Sequence, residues 1–248
     1  MNNSLEINKM YRQSDLNGAK QITTYVHLIK KLAGSFIRRI RIYILKRKIS
    51  NKDSQIILGN AFTKVNIVKD KTAKIIVRGK LEFGNSMDNA PVSITLWENA
   101  TLLIEGDLSL GNGVHLLVGR NGYLKIGGKE IEKEASIGNG SRIWVFEKVE
   151  IGKDFLCAFN VFITDCDWHY IQYSDISKNF HIDTIIGNHV WVGHDSSLLK
   201  GTVIGNGSVV GCRSVLSQEI YPERSLIAGI PARVIKNNCK WKFDLPQS

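Results

Sequence analysis

The stretch IIGNHVWVGHDSSLLKGTVIGNGSVVGCRSVLSQEI, residues 185–220, returns to the same kind of residue every six positions. Ile186, Val192, Leu198, Ile204, Val210 and Leu216 are all aliphatic, and Gly187, Gly193, Gly205 and Gly211 directly follow four of them. A unit this short cannot bury a face alone. Stacked into a solenoid, each aliphatic points to a shared axis and packs on its copies in the coils above and below. The glycine beside it is expected to supply backbone freedom at each corner.

The same beat runs through Ile151, Cys157 and Ile163, through Ile137 and Ile143, and through Ile104, Leu110 and Leu116. Ile/Leu-Gly-Asn recurs at Leu110, Ile137, Ile186 and Ile204. Asn-Gly between apolar residues is also a hairpin signal, but a meander gives no reason for a fixed interval of six. Gly205, Gly207 and Gly211 form GxGxxxG, which is not the dinucleotide spacing, and no helical pattern follows.

Ahead of the repeats, residues 21–48 place Ile22, Val26, Ile29, Ala33, Phe36, Ile40 and Tyr43 on one face of a helix. Lys30, Lys31, Arg38, Arg39, Arg41, Lys46, Arg47 and Lys48 flank that face. The net charge of +10 divides into +14 over residues 1–80 and −4 over the remainder. Such asymmetry points to an anionic partner for the front segment or to a solvated basic surface. The helix either packs on its own domain or a sister subunit, or lies on an anionic membrane surface. Packing is favoured, because a solvated basic rim costs a packed helix little. Nucleic acid is excluded as a partner, for no reader motif or interleaved aromatic platform accompanies the charge.

The four cysteines show neither CxxC nor zinc-type spacing, so free thiols are expected. There is no signal-peptide layout and no run of eighteen apolar residues, which leads to a cytoplasmic reading. The basic helix is then the candidate for peripheral contact at the inner face of the membrane. With 248 residues, 43% of them hydrophobic, the chain can bury a sizeable core.

The hexads, with IIGNHVWVGH and SLIAGIPARVI, resemble the hexapeptide-repeat acyltransferases, especially bacterial sugar and capsular-polysaccharide O-acetyltransferases. The match is strong over residues 137–236 and looser over 55–136. The resemblance implies an all-β solenoid, a left-handed parallel β-helix with three hexads to a triangular coil. Its crossovers would be rare exceptions to the right-handed rule. The chain then divides into an N-terminal α-helical appendage (1–50), the β-helix (51–236) with a loop at 170–184, and a tail (237–248). The family commonly forms trimers with active sites between subunits, and uses acetyl-CoA as donor without a metal.

Family members carry a catalytic histidine where a loop breaks the hexads, and TDCDWHYI, residues 164–171, puts His169 there. An imidazole titrates near 6.5, so at neutral pH it can take a proton from a hydroxyl attacking a thioester. Asp165 or Asp167 is expected to orient the ring, with Asp165 slightly preferred; either acid could instead cap the loop backbone. Cys166 is read as packing, since these enzymes are thought to transfer the acyl group directly. Trp191, Trp168 and Tyr170 are the expected glycan platforms. Gly193, His194, Gly211, Cys212 and Ser217 match positions that hold the donor mainly through the backbone, and Arg233 and Lys236 match positions that meet its phosphates. The acceptor asparagine of simple-sugar acetyltransferases has no clean counterpart in NGSRIWVFEK, residues 139–148. The resulting expectation is O-acetylation of a sugar or cell-surface polysaccharide. N-acetylation of an amino sugar or antibiotic, or a noncatalytic β-helix scaffold at the membrane surface, are the alternatives.

Overall fold

The computed structural model describes residues 32–49, 51, 54–60, 62–84, 90–128, 134–170, 172–173, 176–177 and 180–243. From Gln55 to Lys236 the described chain winds through three sheets of nine, seven and seven strands, which form the three faces of a prism. Strands Trp191–Val192, Ser197–Leu198 and Val203–Ile204 lie on the first, second and third face in turn, and Val209–Val210 returns to the first. We call the bends from first to second, second to third, and third to first face corners one, two and three.

Neighbouring coils pair in parallel: Ile185 with Val203, Trp191 with Val209, and Ser197 with Val215, an offset of 18 residues or three hexads. Ile186, Val192, Leu198, Ile204, Val210 and Leu216 are each 2% exposed or less. Such burial contributes about 1.5–3 kcal/mol per side chain.

The Ile-Gly-Asn motif has a physical cause other than the expected corner flexibility. Left-handed backbone falls two residues beyond the glycine, at His189 (φ 54°), Asp195 (58°), Gly207 (69°) and Arg213 (55°). The glycines serve close approach between coils: a Cβ on Gly193 would stand 2.6 Å from the amide nitrogen of Cys212, and one on Gly187 2.7 Å from Oδ1 of Asn206. Into that space the asparagines reach across the stack. Asn206 Oδ1 accepts the N–H of Asn188 at 2.7 Å, Asn188 Oδ1 that of Lys153 at 3.0 Å, and Asn139 Oδ1 that of Asn112 at 3.1 Å. Backbone amides that turn out of the sheets at the corners are thereby satisfied.

Two elements close the stack. At the C-terminal end Leu226–Gly229 pairs antiparallel with Ala232–Lys236, with a register shift between Leu226 and Ile227. At the N-terminal end a helix spans 32–46. At its last turn and just beyond, Leu45 and Ile49 enter the core, the ammonium of Lys48 donates to the carbonyl of Ile67, and Asn51 exchanges hydrogen bonds with the backbone of Val77 at 2.6 and 2.8 Å.

The described part of the helix does not pack its apolar stripe on its own domain, which leaves a sister subunit as the other half of the favoured expectation. Phe36, Ile40 and Tyr43 are 65%, 44% and 64% exposed, joined by Leu32, Ile37 and Ile44. The reason is geometric: only the C-terminal part of the helix reaches the coils, where Ile42 packs against the core and Arg41 donates to the carbonyl of Thr63. Ile22, Val26 and Ile29 lie outside the described residues. Among the described residues no helix is long and apolar enough to cross a membrane.

Candidate active site

At corner two most coils turn within a few residues, as at Phe146-Glu147 between strands Arg142–Val145 and Lys148–Ile151. One coil does not. After strand Phe162–Thr164 the chain leaves the prism and returns only at Thr184–Ile186. Its two limbs pair antiparallel at the root: the N–H of Asp167 donates to Phe180 and that of Ile182 to Asp165, both at 2.8 Å, around a bridge between Cys166 and His181. Farther out, Gln172–Tyr173 pairs with Ile176–Ser177. The hexad beat stops at TDCDWHYI because the chain becomes a ribbon projecting from the corner.

His169 stands on that ribbon, exposed, and its ring has no hydrogen-bond partner among the described residues. The residue before it, Trp168, is left-handed at φ 63°, a conformation that costs a bulky side chain energy and clusters at functional sites. Around it the rings form a group: Trp168 meets Phe146 edge-on at 6.3 Å, and Phe180 lies 4.6 Å from both Phe146 and Tyr170.

The two expected orienting acids are engaged elsewhere. Asp165 is fully buried, and its carboxylate accepts the backbone N–H of Phe146 at 2.7 Å and those of Glu147 and Lys148 at 2.6 Å. Its acceptor capacity is turned to the turn of the preceding coil, neither to an imidazole nor to the loop's own backbone. Asp167 forms an ion pair with Lys200, whose side chain is only 4% exposed. Both acids fix the root of the ribbon to the coils on either side. Burial pushes the Cys166 thiol up to about 11, so it carries little thiolate at neutral pH.

Gly193, His194, Gly211 and Cys212 lie at corner one. There Nδ1 of His194 sits 3.0 Å from Oδ2 of Asp195, and Asn160 donates to the other oxygen at 3.2 Å. The contact with His194, then that with Asn160, holds the Asp195 carboxyl below the usual carboxylate range. Ser217 follows the last second-face strand, Val215–Leu216. Trp191 is 40% exposed on the first face, 6.1 Å from Trp241. Arg233 and Lys236 are on the final antiparallel strand, where Arg233 pairs with Glu219 at 2.9 Å.

One chain therefore gathers His169, Trp168 and Tyr170 at corner two and the expected donor-holding glycines at corner one. The second face lies between them, a width of roughly 13–17 Å for four or five extended residues. Among the described residues no three His, Cys, Asp or Glu side chains come together as metal ligands.

Sequence reasoning missed Lys200 and a cleft of about 540 Å³ at corner two, lined by Trp97, Arg120, Asn121, Phe146 and Glu147. Trp97 and Phe146 were legible only by aligning the early coils at their own longer offsets.

Residues 183–218 match the family described as bacterial transferase hexapeptide, with six repeats. WbbJ of Escherichia coli (strain K12), inferred to be a lipopolysaccharide biosynthesis O-acetyl transferase, is 44% identical over 100 residues, 36% of this chain and 50% of that protein. A polysialic acid O-acetyltransferase of Neisseria meningitidis is 38% identical over 116 residues, 45% of this chain and 54% of that protein. The chain thus spans about half the length of these curated relatives. Among solved structures, the polysialic acid O-acetyltransferase OatWY superimposes with a TM-score of 0.57 at 26% identity, over 79% of this chain and 93% of that one. From its repeats, its coils and these likenesses, the chain folds as a left-handed parallel β-helix that resembles the hexapeptide-repeat acyltransferases, and it is similar to O-acetyltransferases of bacterial polysaccharides.

Proposed function

We propose that the protein is an acetyl-CoA-dependent O-acetyltransferase acting on a sugar hydroxyl of a polysaccharide, with His169 as general base. The observation that carries this reading is the position of His169: an exposed imidazole on a ribbon that interrupts the coil, among aromatic rings suited to sugar faces. His169 takes the proton of the acceptor hydroxyl as its oxygen bonds to the thioester carbonyl carbon. The carbon–sulfur bond then breaks, and the imidazolium returns the proton to the departing thiolate. No acyl-enzyme forms, consistent with a Cys166 thiol held protonated by burial. General-base catalysis contributes on the order of 10²–10⁴ in rate, and positioning much of the rest.

A site that uses both His169 and the corner-one glycines takes its second half from another copy, and this supports a homotrimer with sites between subunits. The exposed basic helix supports a second contact, with anionic lipid. Residues 16–52 contain ten Lys or Arg and no acid, so the charge favours an anionic bilayer over a second copy of a mixed-charge surface.

Thiol release from acetyl-CoA, with wild type and His169→Ala over a panel of sugars, amino sugars and surface oligosaccharides, tests the reading. Release that needs His169 and an O-linked acceptor supports it. Transfer only to amines favours N-acetylation, and release unaffected by His169→Ala removes the base.

A further inference from the structure

The aromatic rings beside His169 do not end at the ribbon. Trp97, Gly119 and Phe146 occupy the same step of corner two in three successive coils: the N–H of Trp97 donates to Val118 at 2.9 Å, and that of Gly119 to Val145 at 2.7 Å. With coils about 4.8 Å apart, the two rings stand roughly 10 Å from each other along the corner. Between them Gly119 carries no side chain, and at this step of the corner the two rings, with Arg120, Asn121 and Glu147, line the cleft of about 540 Å³.

We propose that this cleft is a second glycan subsite, occupied by a sugar unit beyond the reacting one, so that the preferred acceptor is a chain of sugars. The proposal rests on the transferase reading above and adds to it the place where the acceptor chain is held beyond the reacting sugar.

Three observations carry it. The walls have the chemistry of a sugar site: half-exposed Trp97 and Phe146 offer flat apolar surfaces, while Arg120, Asn121 and Glu147 offer a guanidinium, an amide and a carboxylate to hydroxyls. The walls are also pre-ordered. Asp165 fixes the amides of Phe146 and Glu147, Asn121 accepts from Asn99 at 3.1 Å and donates its own N–H to Glu98 at 2.9 Å, and Glu98 holds Arg120 at 3.2 Å. A fixed site loses less freedom on binding. Finally, the cleft is continuous with the reacting end. Phe146 is both its wall and the ring that meets Trp168, next to His169, and Phe180 links it to Tyr170 on the other side of the histidine.

The test is direct binding, without turnover. Labelled protein is applied to printed glycan chains of several linkages, each graded from one to about ten sugars, and Trp97→Ala, Trp97→Phe and Arg120→Ala are compared after matching their melting temperatures to wild type. The expected result is binding that strengthens with chain length, weakens about tenfold in Trp97→Ala, as loss of one stacking contact implies, and largely survives in Trp97→Phe. Binding that is independent of length, or unchanged in Trp97→Ala, overturns the subsite. So does the absence of binding to every chain. None of these results touches the transferase reading, which stands or falls on His169-dependent thiol release.

Discussion

The carboxylate of Asp165 receives the backbone N–H of Phe146 at 2.7 Å on one oxygen and that of Lys148 at 2.6 Å on the other. The acid at the root of the ribbon thus caps the turn of the preceding coil, in the place where an ordinary coil would lay its own backbone. Asp165→Asn removes the charge and turns an amide N–H₂ toward donors, so it should cost about 3 kcal/mol, on the order of 8 °C in Tm. A melt separates the roles: an acid that merely oriented His169 would leave Tm unchanged and lower kcat alone.

Asp167 and Lys200 should behave as a coupled pair. Asp167→Ala leaves the buried ammonium without this partner and should destabilise by about 2 kcal/mol, a figure reduced from the fully buried case because Asp167 is partly exposed. Adding Lys200→Met should restore most of the loss in a double-mutant cycle by urea denaturation; additive losses would show that the pair is not coupled.

The cysteines should divide into two fast and two slow. Cys212 is exposed and Cys239 partly so, whereas burial pushes Cys157 up to about 12 and Cys166 up to about 11. Titration of native protein with a chromogenic disulfide at pH 8 should count two thiols promptly, with the others appearing on denaturation.

The same burial predicts alkaline instability. Tyr221, buried beside Glu219, is raised to about 12, and with the two thiols it holds protons that the unfolded chain releases at lower pH. Folded pKa values above the unfolded ones mean that this stability is complete below about pH 8.5 and declines as pH rises toward 12. Tyr221→Phe should flatten the part of the decline above pH 10 in Tm measured against pH.

The exposed helix should bind vesicles containing 30% phosphatidylserine and ignore those of phosphatidylcholine alone. Reversing Arg38 and Arg39 to Glu should weaken sedimentation with the anionic vesicles by more than tenfold, at about 1 kcal/mol for each charge removed. Phe36→Ser with Ile40→Ser should weaken it as well. Retained binding in both variants would place the lipid contact elsewhere.

The coils were legible from sequence where they are regular and obscure where they are not. From Thr184 to Leu216 a coil is 18 residues, so the interval of six survives and each marked aliphatic is buried. Earlier coils are longer: Thr101 pairs with Tyr123 and Leu81 with Leu108, offsets of 22 and 27. Their extra residues sit in longer strands and corners, which scrambles a six-residue count without altering the stacking. The histidine was found through resemblance, since an exposed imidazole on a ribbon leaves no periodic mark. The cleft was missed because Trp97 and Phe146 are 49 positions apart in sequence and meet only through two coil offsets. Lys200 reads as a surface corner residue, and nothing in sequence tells that the ribbon folds over it.

A prism of parallel coils has no intrinsic length, for each end offers unpaired strand edges on which another coil can be laid. Here the returning strand Ala232–Lys236 runs antiparallel and covers the last first-face strand with a broken register, so the next coil meets a partner of the wrong polarity. On this face the strand therefore blocks the edge through which another coil could be added. Chains shortened before Ala232 should show it by growing end to end into filaments rather than by unfolding.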